Sequence, residues 1–238
     1  MNEVEQGYGS EQEPKEDRFN DPVEPPIKVT PDMLAEEPVV RERDDFEVGM
    51  SAAPVVTLAF LAAYVLVFVW ELGSGALTDS KSIIAAGALH RNSVEAGEWW
   101  RLISATFLHG SVDHLLGNAL FFYVLGMACE HAYGARRTLL FYLATGISGS
   151  VISIAAEPGP SVGASGVVFG MMGGIVAYFY MHRGRFHRRN MRIAVVLAVW
   201  TAYSIATGFL TPYVDNFAHL GGLAGGLILG RWLPEKSA

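Results

Sequence analysis

Ser161 to Gly174 reads SVGASGVVFGMMGG, and the rest of the chain is organised around it. Ser165 stands at the head of an apolar helix, and Gly166, Gly170 and Gly174 recur at every fourth residue behind it. A helix with glycine along one stripe carries no side-chain bulk there, so a second backbone can approach it closely in lipid. The expected partner is Asn216 to Gly230, NFAHLGGLAGGLILG, where Gly222, Gly226 and Gly230 keep the same spacing and His219 lies one turn ahead of them. A hydroxyl leading one helix and an imidazole leading the other, joined along a glycine seam, predicts Ser165 as a nucleophile beside His219 as its base.

Composition agrees with a membrane setting. Of the 238 residues, 51% are apolar and 26 are glycine. Charge is unevenly spread: residues 1–50 hold 15 Asp and Glu against 5 Lys and Arg, which leaves 9 acids and 12 bases in the remainder. The formal charge of −7 therefore belongs to the first 50 residues. The single cysteine, Cys129, excludes an intramolecular disulfide and reads as a small buried residue.

Taken in order, residues 1–50 are rich in acids and proline and read as a disordered cytoplasmic tail. No basic, apolar signal segment opens the chain, so the first span is expected to direct insertion and be retained. Ser51 to Trp70 is uncharged and long enough to cross roughly 30 Å of hydrocarbon. Gly73 to Ser111 is too polar to cross and reads as a structured loop at the membrane interface, with Trp99 and Trp100 beside Arg101. Further spans are expected at His114 to Cys129, Thr138 to Ala155, Ser165 to Met181, Ile193 to Leu210 and Asn216 to Trp232. Tyr133 to Arg137 and Glu157-Pro158-Gly159-Pro160 serve as turns. The expected organisation is thus a tail over 1–50, a six-span domain over 51–234 and a short tail over 235–238.

Arginine sets the orientation. Arg183, Arg185, Arg188, Arg189 and Arg192 occupy one loop, Arg136 and Arg137 another, and Arg41, Arg43, Arg231 and Lys236 flank the ends. All fall on one face if six spans alternate, and by the positive-inside rule that face is cytoplasmic. Both termini are then cytoplasmic, while Ser165 and His219 lie at similar depth near the outer face of the plasma membrane.

A third constellation is FLHGSVDHLLGN, Phe107 to Asn118, at the outer start of the second span. His114 and Asn118 are four residues apart and share a helix face. Polar side chains within a span are costly and usually face the bundle interior. Together with the backbone N–H of Ser165 they are candidate donors to an oxyanion; the alternative is a pair of interhelical hydrogen bonds. Asp215, four residues before His219, reads more simply as a helix cap than as a triad carboxylate. His109 is read as bonding loop backbone or holding water near the site, and His131 as an interfacial residue at the cytoplasmic end.

GEWWRLISATFLHG, HLLGN, VGASG and AHLGG, in that order and on these spans, resemble a bacterial-type rhomboid intramembrane serine protease over almost everything from Pro54 to Trp232. The resemblance implies an all-α polytopic bundle of six spans with an interfacial first loop. It implies a dyad of Ser165 and His219 without an acidic third member, and an oxyanion site from His114, Asn118 and Ser165. It further implies structural roles for Trp99, Arg101 and Glu130, alongside the seam glycines Gly222 and Gly226. Gly163, Ala164, Gly166 and Phe169 are the expected substrate-facing residues around the serine. Phe169 is a departure, since relatives often place tyrosine there, and stacking alone is expected to hold His219. Single-span membrane proteins cut after a small residue are the implied substrates within the lipid bilayer, with no cofactor, metal or nucleic acid.

Rival classes are a metal-dependent membrane enzyme, a transporter and a catalytically inactive rhomboid-like binding factor. Seven scattered histidines and no HExxH motif speak against the first, and no internal repeat supports the second. The intact serine and histidine speak against the third. Oligomeric state is not encoded in any of these patterns.

Overall fold

The structure is a computed structural model that describes residues 30, 43–156, 159–234 and 236. The chain divides into two units, Met1–Arg41 and Glu42–Ala238, and every helix among the described residues belongs to the second. Most of the expected acidic tail, residues 235, 237 and 238 of the C-terminal tail, and Glu157 and Pro158 of the expected helix break lie outside the described residues.

The described residues form helices α1 (Val55–Ser74), α2 (Ser80–Ala86), α3 (Arg91–Glu95), α4 (Arg101–Ser104), α5 (Val112–Tyr133), α6 (Ala135–Ala156), α7 (Ser165–Met181), α8 (Arg188–Gly208) and α9 (Asn216–Trp232). Short polar side chains start three of them. Asp79 accepts the Ser82 N–H at α2, Ser111 the His114 N–H at α5, and Asp215 the Ala218 N–H at α9. Gly134, at φ 81°, is the whole connection between α5 and α6, so the turn expected over Tyr133 to Arg137 is compressed into one residue that tolerates this backbone.

Helices α1, α5, α6 and α8 are long and apolar enough to cross a membrane. Val65, Leu66 and Val69 of α1, Leu116, Leu120 and Val124 of α5, and Val195, Val196 and Val199 of α8 are exposed. Apolar outward faces on helices whose backbone bonds are satisfied internally are what hydrocarbon requires. The molecule is an all-α polytopic membrane protein. Helices α7 and α9 have 17 residues each, about 26 Å at 1.5 Å per residue, a little under the hydrocarbon thickness.

Helix α7 is apolar on every side, and 13 of its 17 residues are buried, which makes it the centre of the bundle. Helix α9 lies along it, glycine against glycine. A Cβ added at Gly222 or Gly226 would overlap the carbonyl oxygen of Gly166 or Gly170, and one at Gly230 would stand 2.7 Å from that of Gly174. On its other flank α9 meets α6, where the Ser148 hydroxyl donates to the Gly221 carbonyl at 2.9 Å. Lipid tails give helices no hydrophobic reason to associate, so close van der Waals contact along these seams and a few polar ties hold them together.

One such tie is Glu130, near the end of α5, whose Oε1 accepts from both the N–H and the hydroxyl of Thr57 at 2.7 Å each. It satisfies an orphan donor in the first turn of α1 and fastens the two helices. Arg101 is the hub of the loop between α1 and α5. It pairs with Glu98 at 2.6 Å, donates to the carbonyls of Ile84 and Ala88, and lies over the Trp100 ring. Trp99, by contrast, is 66% exposed.

Just before α1, the last part of the stretch expected as a tail packs against the loop between α7 and α8. Asp44 pairs with Arg185, Asp45 with Arg189, and Asn190 donates to Asp45 at 3.0 Å. Phe46 is buried among the rings of His131, Tyr178, Phe179 and Phe186.

Candidate functional site

The approach to Ser165 is fixed by backbone bonds before any side chain is considered. Leu89 and Ser161 exchange two N–H to carbonyl bonds of 2.9 Å, and Gly163 donates to the Ala105 carbonyl at 2.9 Å. The interfacial loop therefore holds the segment that delivers Ser165 to the head of α7. Gly163 has φ 118°, a conformation that favours glycine, and a side chain there would also have no room. Its Cβ would stand 2.6 and 2.7 Å from Cε1 and Nε2 of His114 and 3.3 Å from Nδ2 of Asn118. The polar pair of α5 thus covers the backbone two residues ahead of Ser165. Ala164 and Gly166 on either side are buried, whereas Ser165 itself is half-buried.

Asn118 is 7% exposed, and its Nδ2 has no hydrogen-bond partner among the described residues. A buried amide donor is normally paired, so one left open is costly and calls for an explanation. Near it, His114 meets His109 edge to face, with ring centroids 5.3 Å apart. His109 sits in the loop before α5, fully buried, and its Nδ1 donates to the Phe107 carbonyl at 3.1 Å. Burial, with His114 adding to it, lowers the His109 pKa to about 4. Its backbone N–H is held by the carboxylate of Glu71 at the end of α1.

His219 reaches the same place from α9. The seam puts the Gly166 Cβ position 3.2 Å from the Ala218 carbonyl, so the residues next to Ser165 and next to His219 touch. Phe169, one turn into α7, stacks on the imidazole with centroids 4.2 Å apart and planes 12° from parallel. Asp215 is spent elsewhere: Oδ1 caps α9 at 2.8 Å from the Ala218 N–H, and Oδ2 accepts the Ser153 hydroxyl at 2.5 Å. The group on His219 Nδ1 is the side-chain oxygen of Asn216, at 3.2 Å. No hydrogen bond joins Ser165 to His219 among the described contacts; such pairs are commonly long in unliganded sites and tighten when substrate is bound.

Ser165, His114, Asn118, Gly163, Phe169 and His219 are therefore gathered where α5, α7 and α9 begin, while Arg101, Glu130, Gly222 and Gly226 hold the elements that carry them. Asn216 is absent from the residues that sequence patterns single out. Its signal is nonetheless present, since it is a polar residue three positions before His219 on the same face of an otherwise apolar helix. A water-sized cavity lined by Thr106, Gly149, Ser150, Gly163 and Gly166 adjoins the group. Among the described residues no set of three or more His, Cys, Asp or Glu could hold a metal ion.

The family model for the Rhomboid domain matches residues 96–236. The rhomboid protease GluP of Bacillus subtilis is 35% identical over 201 residues, which is 83% of this chain and 39% of GluP. RHOMBOID-like protein 4 of Arabidopsis thaliana is 41% identical over 138 residues, 58% of this chain and 34% of that protein. A second Bacillus subtilis relative, YdcA, is 30% identical over 195 residues, 81% of this chain and 95% of YdcA. The chain thus spans well under half of the first two relatives and nearly all of the third.

Proposed function

The chain belongs to the rhomboid family, and we propose that it is an intramembrane serine endopeptidase that cuts transmembrane segments of other membrane proteins. The observation that carries this reading is the convergence on Gly163 to Phe169, the short stretch that leads into the first turn of α7. His114 and the unpaired Asn118 amide lie over Gly163, and His219 stacks on Phe169. The serine between them is half-buried, with Ala164 and Gly166 on either side of it buried.

In this reading the Ser165 hydroxyl attacks a substrate carbonyl carbon as His219 Nε2 takes its proton. The carbonyl oxygen gains negative charge and is met by the Ser165 N–H, the Asn118 amide and His114. Preorganised donors of this kind stabilise the transition state without having to reorganise. Collapse of the intermediate expels the amine, which receives the proton from His219, and leaves an acyl-enzyme on Ser165. Water then attacks that ester by the reverse proton path, and the cavity beside Gly163 and Gly166 can hold such a molecule.

The setting follows from helix length. We assign six spans, α1 and α5 to α9, with both termini and the arginine-rich ends cytoplasmic. Because α7 is short, anchoring the arginine-rich loop that follows it at the inner face leaves Ser165 below the outer surface. A helical substrate must unwind to reach it, which small or helix-breaking residues near its outer end favour. Single-span proteins of the plasma membrane are the proposed substrates, with residues 1–50 as a cytoplasmic tail, 51–234 as the protease domain and 235–238 as a short end.

The test uses the full chain, purified and reconstituted in liposomes with a panel of single-span reporter segments. Wild-type protein is expected to cleave at least one reporter, and Ser165→Ala and His219→Ala each to lose activity by a factor on the order of 10³ or more. Cleavage by both variants at the wild-type rate would overturn the assignment.

A further inference from the structure

Asn216 is 3% exposed, and every polar atom of its side chain is engaged. Nδ2 donates to the carbonyl of Ile205 on α8 at 3.1 Å, and Oδ1 lies 3.2 Å from Nδ1 of His219. The first bond fixes the second. A carbonyl oxygen only accepts, so the amide nitrogen must face Ile205 and the amide oxygen must face the imidazole. An amide oxygen also only accepts, so His219 Nδ1 must carry the hydrogen. Neutral imidazole has one N–H, and Nε2 is then the nitrogen with the lone pair.

The end of α8 is shaped for this arrangement. Gly208 is buried, and a Cβ there would overlap the Asn216 amide. Asn216 is thus clamped between the backbone of α8 and the ring of His219.

We propose that Asn216 is a positioning residue that holds His219 in the Nδ1–H tautomer and makes that tautomer depend on where the end of α8 sits. The proposal rests on the reading of His219 as the base for Ser165. Only the Nδ1–H tautomer can take a proton at Nε2. If the end of α8 moves away from α9, the amide loses Ile205 and is free to turn its nitrogen toward the imidazole. Nδ1 would then have to accept, the hydrogen would move to Nε2, and the base would be switched off. Docking of α8 against α9 therefore completes the site as well as closing it. The other titratable groups facing His219 are Asp215, at the cap of its own helix, and His114 from α5, and among the described residues neither is hydrogen-bonded to the ring.

The experiment compares wild type, Asn216→Leu, Asn216→Asp and Gly208→Ala in micelles, using histidine labelled with nitrogen-15. The His219 signal is identified by its loss in His219→Gln. Wild type is expected to show His219 as the Nδ1–H tautomer and Asn216→Leu to show a mixture. In the reporter assay, Asn216→Leu is expected to lower kcat by about 10- to 100-fold with KM within about twofold, a part of what a positioned base contributes. Asn216→Asp restores an acceptor at Nδ1 and should recover about tenfold of that loss. Gly208→Ala, which leaves Asn216 in place but crowds its amide, should shift the tautomer signals in the same direction as Asn216→Leu. Unchanged tautomer signals and unchanged kcat in Asn216→Leu, with active wild type, would overturn the proposal and leave the protease reading intact. Wild type that cleaves no reporter would sink that reading instead, and the labelled spectra would still decide whether Asn216 sets the tautomer.

Discussion

Helices α7 and α8 are consecutive in the chain and are packed in opposite ways. Of the 17 residues of α7, 13 are buried, whereas α8, with 21 residues, buries only Asn190, Ala194, Thr201 and Gly208. By length α8 is the better membrane span, yet α7 is the more apolar and the more deeply embedded in protein. Glycine on α7 lets the α9 backbone touch it, so that Ser165 and His219 are carried by elements with no freedom to slide. Helix α8 meets the bundle mainly through side chains and a few polar ties: Asp45 to Arg189 and Asn190 at one end, the Phe121 and Trp200 rings in the middle, and Asn216 to Ile205 at the other end. Interlocked backbones resist displacement, while ties at a rim can open separately.

The sharpest way to break this contrast is to add bulk at the seam. Gly226→Val places carbon where the Gly170 carbonyl already stands, which α9 can relieve only by leaving α7. It is expected to cost about 3 kcal/mol or more, the upper end for overpacking, and to abolish a cooperative melt in detergent. A Gly226→Val protein that melts like wild type would show that the seam is not a rigid unit. Glu130→Ala comes next, because it removes the acceptor for two Thr57 donors. A loss of about 2 kcal/mol is expected from bonds to a charged group, read as a lower melting temperature with Gly226 untouched.

Acid probes the rigid side by another route. The His109 pKa is lowered to about 4 against an ordinary value of 6.5, so the folded protein holds this ring neutral while the unfolded chain takes up a proton first as pH falls. Its contribution to stability is complete above about pH 6.5 and is lost progressively toward pH 4. Between pH 7 and pH 5 the wild type is expected to lose about 1–2 kcal/mol through this group, and His109→Gln should lack that component of the pH dependence.

The smallest effects belong to α8. Asp44→Ala removes a half-exposed pair with Arg185 in the loop that leads into α8. It should change stability by at most about 1 kcal/mol, and less at high salt. Trp200→Ala, at a residue 44% exposed, should shift stability by no more than about 1 kcal/mol, yet alter the rate of reporter cleavage because it frees α8 from α5. If either change to α8 destabilised the protein as much as Gly226→Val, the division into a rigid seam and a loose edge would be wrong.

Much of this was legible in the amino-acid order because glycine spacing and charge are local signals. The repeat through Gly166, Gly170 and Gly174 named both the seam and its partner on α9, and the bounds expected for α7 and α9 coincide with the helices found. Boundaries elsewhere were less legible. Helix α5 runs on to Tyr133 and α6 begins at Ala135, because one glycine at φ 81° does the work of a five-residue turn. Trp99 and Trp100 look equivalent in sequence, but only Trp100 lies under the Arg101 guanidinium with its ring against Gly87. Periodicity cannot rank two adjacent indoles, since their roles depend on which one the loop turns inward.

The chain's order of residues determined that it is a helical membrane protein, that two glycine-striped helices meet, and that a serine and a histidine lead them, because each of these follows from spacing along a helix and from the cost of polar groups in lipid. Packing alone shows that Ser153 takes the second oxygen of Asp215, that Asn216 meets the imidazole, and that this amide also holds α8. The physical reason is that hydrogen-bond partners are chosen by the helices that pack around a residue, and neither Ser153 on α6 nor Ile205 on α8 is a neighbour of α9 along the chain.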